Sequence, residues 1–162
     1  MKFSPFDEPY PASTGCYRID PQRRLRIEEY QGKVELADIR AIQSAMAADP
    51  DWSADFHGLV DFSHAELEMS ANDVLRLGLL MRQPRLRTRG WLVFVVNNSV
   101  AFGVVRMLGY WSRATDRLKI FQTREQADAW LASRHDQAPP AFREEPAAPS
   151  VPHGTEQLAA AV

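Results

Sequence analysis

The apolar positions of the chain change their period several times, and each change marks an element. Residues 16–19 and 25–30 alternate as strands on either side of Asp20-Pro21-Gln22-Arg23, where proline at the second turn position fixes φ and favours a hairpin. From Val34 onward, Leu36, Ile39, Ile42 and Met46 recur at near-helical spacing, with Glu35 and Asp38 near the positive end of the helix dipole and Asp49-Pro50 as a stop. Residues 58–62 read as a short buried strand, then a polar loop, then a helix over 70–83 that Pro84 ends. The unbroken apolar run over 91–96 is the pattern of a central strand covered on both faces. A third helix is predicted over 99–111 and a last strand over 118–121. Thr123-Arg124-Glu125-Gln126 then opens a last helix with a capping-box pattern, followed by Ala127, Trp130 and Leu131 on one face. The order β-β-α-β-α-β-α-β-α predicts an α/β fold: a mixed sheet with an N-terminal hairpin, four helices and right-handed crossovers.

Composition narrows this picture. The 162 residues are 45% hydrophobic and 25% charged, which suits one ordinary globular domain. Five of the eleven prolines follow Gln137, in a stretch holding seven alanines and few larger apolar groups. Such a composition buries too little surface to offset its ordering entropy. The reading is a loose lead-in over 1–14, a domain over 15–134 and a disordered tail over 135–162. The formal charge of −2 gives no overall basic excess, and neither a helix-turn-helix nor an aromatic-basic strand points to nucleic acid. Cys16 is the single cysteine, so no internal disulfide and no Cys-x-x-Cys site can form. No signal-like segment and no transmembrane segment is found, and a cytoplasmic protein is expected.

These elements carry Ala48-Asp49-Pro50-Asp51-Trp52 after the first helix and Leu59-Val60-Asp61-Phe62-Ser63 on the third strand. Phe102-Gly103-Val104-Val105-Arg106-Met107 follows in the third helix, then Phe121 and Ala127-Asp128-Ala129-Trp130-Leu131 near the end. In these segments and their spacing the chain resembles the SpoIIAA-like branch of the STAS superfamily over residues 15–133, a fold also compared with the CRAL-TRIO lipid-binding domain. The resemblance implies a small bacterial regulatory or ligand-binding module that often forms dimers. It implies no enzyme. Members that antagonise anti-sigma factors carry Asp-Ser-Ser-Gly at the start of helix two, with a phosphorylated serine. Here the stretch is Met69-Ser70-Ala71-Asn72, and only Ser70 stands in the right neighbourhood.

Ser70, with Asp73 three residues on, also reads as an N-cap. A phosphate at Ser70 would meet the helix dipole, worth about 1 kcal/mol, but also the charges of Glu66, Glu68 and Asp73. The third helix is apolar nearly all round, leaving a thin stripe of Ser99, Gly103, Arg106 and Arg113. Such a helix needs cover beyond one sheet, and Gly78 and Gly103 would admit a close neighbour. Charge is lopsided: nine bases and one acid lie between Arg76 and Lys119, whereas Glu28 to Asp73 holds eleven acids and two bases. Arg82, Arg85, Arg87 and Arg89 are expected to form a positive edge. Phe102, Met107, Tyr110 and Trp111 are therefore expected as apolar contacts, and Arg106 and Arg113 as anion or partner contacts. Asn97 and Asn98, where a central strand meets a helix, would sit at the usual ligand crevice of an open α/β sheet. The expected partner is a second copy in a homodimer, with a regulatory protein or a small anionic amphiphile as alternatives. A hydrolase or metal site built on His57, Asp61, Ser63 and His64 ranks last: on a strand His57, Asp61 and Ser63 share one face while His64 points away, the spacing fits no standard zinc motif, and no catalytic residue, metal or cofactor is expected.

Overall fold

The computed structural model describes residues 14–134 and Gln137; the expected lead-in and tail otherwise lie outside the described residues. Strand β1 (Gly15–Asp20) turns back into β2 (Leu25–Val34). In the turn, the Arg24 N–H donates to the Pro21 carbonyl at 3.3 Å and the Arg23 N–H to Asp20 Oδ1 at 3.1 Å. Helix α1 (Leu36–Ala47), β3 (His57–Leu67), α2 (Ala71–Leu80), β4 (Leu92–Val95), α3 (Ser99–Trp111), a short 3-10 turn, β5 (Leu118–Phe121) and α4 (Arg124–Ser133) follow. The sheet runs β1-β2-β3-β4-β5, antiparallel at the hairpin and parallel thereafter. This mixed α/β sheet with four helices is the arrangement that the resemblance to SpoIIAA-like domains implies.

Two helical layers sandwich the sheet. On one face Ile39 of α1, Val74 and Leu77 of α2 and Ala101, Val105 and Leu108 of α3 pack on Val60, Phe62, Leu92 and Phe94. On the other, Ala127 and Leu131 of α4 cover Leu25, Ile27, Leu59, Val93 and Val95. Strand β4 therefore feeds alternate residues into both cores, as its unbroken apolar run requires. Each large core side chain contributes about 1.5–3 kcal/mol by leaving water.

The sequence reading errs at three boundaries. Strand β3 continues to Leu67 instead of stopping at residue 62. Its pairing with β2 shifts between Glu29 opposite Asp61 and Gln31 opposite His64, so Tyr30 faces an extra residue. This bulge breaks the two-residue alternation, and Phe62 and Ala65 enter the same core although three apart. Val34 ends β2, fully buried, instead of opening α1. Helix α2 stops at Leu80, short of residue 83.

The helix ends follow capping chemistry. Ser70 Oγ accepts from the Asp73 N–H at 3.2 Å and the Asp73 carboxylate accepts the Ser70 N–H at 3.0 Å, a reciprocal box. Thr123 Oγ1 accepts from the Gln126 N–H at 3.3 Å. Helix α3 closes in a Schellman motif: the Ala114 N–H reaches the Gly109 carbonyl at 3.0 Å and the Arg113 N–H the Tyr110 carbonyl at 3.2 Å. Arg113 takes φ 57° at the position where glycine is usual.

Candidate functional site

The cores absorb one side of α3 only. Ala101, Val105, Leu108 and Gly109 are buried. Val100, Phe102, Met107, Tyr110 and Trp111 are exposed at 64, 46, 39, 70 and 37%, and Leu79 of α2 adds 47%. A helix of thirteen residues with five large apolar side chains in water, interleaved with exposed Ser99, Gly103 and Arg106 and beside one more apolar group from its neighbour, presents apolar surface of the kind that marks an association site. Tyr110 and Trp111 meet edge to face with centroids 5.1 Å apart, and the Arg106 guanidinium lies 6.0 Å from the Phe102 ring centre.

The two glycines singled out from the sequence have opposite surroundings. A Cβ on Gly78 would lie 2.4 Å from the Trp111 Cβ, so Gly78 is what lets α2 and α3 pack closely. A Cβ on Gly103 would meet nothing within 4 Å. Gly103 lies mid-helix on the exposed side, where glycine costs roughly 0.5–1 kcal/mol relative to alanine. Within one subunit nothing requires it. Gly103→Ala is expected to raise the unfolding free energy of the isolated subunit by about that amount, read by urea titration at low protein concentration.

The run of bases is divided by the fold. Arg76, Arg82, Arg85, Arg106 and Arg113 are exposed. Arg89 pairs with Asp55 at 2.7 Å, Lys119 lies 5.5 Å from the Trp91 ring centre, and Arg117 is buried. Burial, with Arg87 and Arg26 nearby, pushes the Arg117 guanidinium down to about 10. The expected positive edge of Arg82, Arg85, Arg87 and Arg89 is therefore reduced, since Arg89 is neutralised by its partner and Arg87 is half-buried.

The polar candidates are largely engaged in architecture. Asn98 Oδ1 accepts from the Ala101 N–H at 2.8 Å and caps α3, while Asn97 Nδ2 donates to the Ser63 carbonyl at 2.6 Å and ties β4 to β3. Ser70 Oγ donates to Asp73 Oδ2 at 2.6 Å. His57 and Asp61 do not form a hydrolytic pair. Four residues along a strand are roughly 13 Å apart, and the two point to different partners: His57 Nδ1 accepts the Trp91 N–H at 3.1 Å, and Asp61 Oδ1 accepts from Ser63 Oγ at 2.6 Å. His64 is exposed.

Sequence reasoning missed a charge cluster on the α4 side, where Glu29 and Asp61 lie opposite each other on β2 and β3. Arg124 reaches Glu29 at 2.8 Å, Asp61 at 3.3 Å and Asp128 at 3.0 Å. Partial burial pulls the Arg124 pKa down, but the hydrogen bond to Glu29, the charges of Asp128 and Glu29 and the hydrogen bond to Asp61 together raise it. Residues 29, 61 and 124 are far apart in the chain, and only the Arg124–Asp128 spacing was visible as a helical i,i+4 pair. Among the described residues no group of three or more His, Cys, Asp or Glu is placed to hold a metal ion, and no helix is long and apolar enough to cross a membrane.

No known protein family matches the chain, and no curated protein does. Among solved structures the chain is similar to an uncharacterized protein of the DUF3478 family, described as having a SpoIIAA-like fold, from Shewanella loihica PV-4. The two share 18% identity with a TM-score of 0.44, over 66% of this chain and 83% of that one. That protein is itself uncharacterized, so no activity comes with the likeness.

Proposed function

We propose that this chain is a non-enzymatic regulatory or binding module that works through the exposed α2–α3 face, as a homodimer. The observation that supports it is the exposure of Val100, Phe102, Met107, Tyr110 and Trp111 together with Leu79 on one side of one layer. Covering that face removes apolar area from water at about 25 cal/mol per Å², and Arg106 and Arg113 at its margin supply directional contacts. A carrier of a small amphiphile is the weaker reading. The cleft of about 200 Å³ lined by Arg23, Leu25, His57, Leu131 and Ala132 includes no residue of α3, and its volume falls below the roughly 300–1,000 Å³ of ordinary ligand sites. A phosphoswitch at Ser70 is weaker still, because its hydroxyl is already committed to Asp73.

Sedimentation velocity of the full chain over a wide concentration range tests the proposal. A reversible dimer is expected, and Phe102→Asp with Tyr110→Asp is expected to leave a folded monomer with an unchanged circular dichroism spectrum. A dimer that survives both aspartates would refute the assignment of the face.

A further inference from the structure

We infer that the occupant of this face is α3 of a second copy, crossing its twin antiparallel about a two-fold axis at Gly103. The inference rests on the proposed use of the face. Gly103 stands mid-helix with open space where a side chain would be, flanked by exposed Val100, Arg106, Met107 and Tyr110. A second helix can approach closely only over a residue without a side chain, and a two-fold axis sets each Gly103 against the other.

Charge selects the direction and the identity of that second helix. Helices α2 and α3 both follow parallel strands, so both begin at the same end of the sheet. Exposed Glu66 and Glu68 and half-buried Asp73 gather at the start of α2, where Lys33, paired with Glu68 at 2.7 Å, offsets part of their charge. Arg82 and Arg85, just after α2, and Arg113, just after α3, lie exposed at the opposite end. An antiparallel pair brings each copy's arginine end beside the other's acidic end, whereas a parallel pair would stack like charges. One copy thus carries both halves of a complementary surface.

A cysteine cross-link reads the crossing point directly. In a Cys16→Ser background, Gly103→Cys is expected to form a disulfide-linked dimer on mild oxidation, since a disulfide needs Cα atoms only about 4.4–6.8 Å apart. Ala129→Cys, exposed on α4 across the sheet, is expected to stay monomeric on a non-reducing gel. Gly103→Leu fits the isolated subunit but wedges the two helices apart, and its dimer dissociation constant should rise about tenfold or more. A dimer that fails to cross-link through position 103, or that ignores Gly103→Leu, overturns the crossing; if Phe102→Asp with Tyr110→Asp still splits that dimer, the use of the face stands. A dimer indifferent to the aspartates overturns the face itself, and a wild-type chain that is monomeric at every concentration overturns both.

Discussion

Glu28→Ala is expected to lower the unfolding free energy by about 3–5 kcal/mol, the usual cost of stripping a buried ion of its partner. Arg26, Glu28 and Tyr30 lie on β2 beneath α1 at 4, 1 and 3% exposure. Glu28 accepts from the Arg26 guanidinium and from the Tyr30 hydroxyl, the latter at 2.9 Å. Arg26 also lies near enough to Arg117 to help depress its pKa, so Glu28 balances a locally basic interior. Its removal leaves one buried cation without a carboxylate and one phenol without an acceptor. Chemical denaturation reads the loss. The triple replacement Arg26→Met, Glu28→Leu, Tyr30→Phe should recover most of it, because an apolar set of similar volume needs no compensation. A loss of under about 1 kcal/mol in Glu28→Ala would mean that water reaches the site and the pair is not truly buried.

Gly90→Ala should cost about 3 kcal/mol, at the upper end of overpacking penalties. A Cβ there would lie 2.3 Å from the Phe56 carbonyl oxygen and 2.9 Å from the His57 nitrogen, both backbone atoms that cannot swing aside. The crossing is fastened by neighbours on both sides: the Arg89 N–H donates to the Ala54 carbonyl at 2.7 Å and the Gly58 N–H to the Trp91 carbonyl at 2.8 Å. Moving residue 90 disturbs the entry of both β3 and β4, and a urea midpoint well below wild type is the expected readout. In the isolated subunit the same change at Gly103 has the opposite sign, since there the added methyl touches nothing. The pair of variants separates steric need from helix propensity within one chain.

Several elements were legible because their cause is local. Helix α3 and β5 match their expected ranges, the Ser70 and Thr123 caps form, and the Pro21 turn joins an antiparallel pair. Periodicity, capping residues and a proline act over a few positions, and those positions are visible in a string of letters. The extent of β3 was not legible, because a bulge opposite Tyr30 makes a paired strand look like a polar loop. Alternation on β2 by itself suggests one wet face, yet α1 covers it and turns Arg26 and Glu28 into interior groups.

For the candidate site, the sequence by itself determined that α3 has more apolar circumference than one sheet face can cover, and that bases crowd the region after Arg76. Tertiary structure alone decided which residues remain outside: Ala101, Val105 and Leu108 go to the core, while Phe102, Met107 and Tyr110 do not. It also separated Gly78, pressed against Trp111, from Gly103, open to solvent, and dispersed the run of bases by burying Arg117 and pairing Arg89. The reason is physical: composition and period fix how much of a helix must be covered, but which arc is covered depends on helix placement, and that is set by contacts between residues distant in the chain.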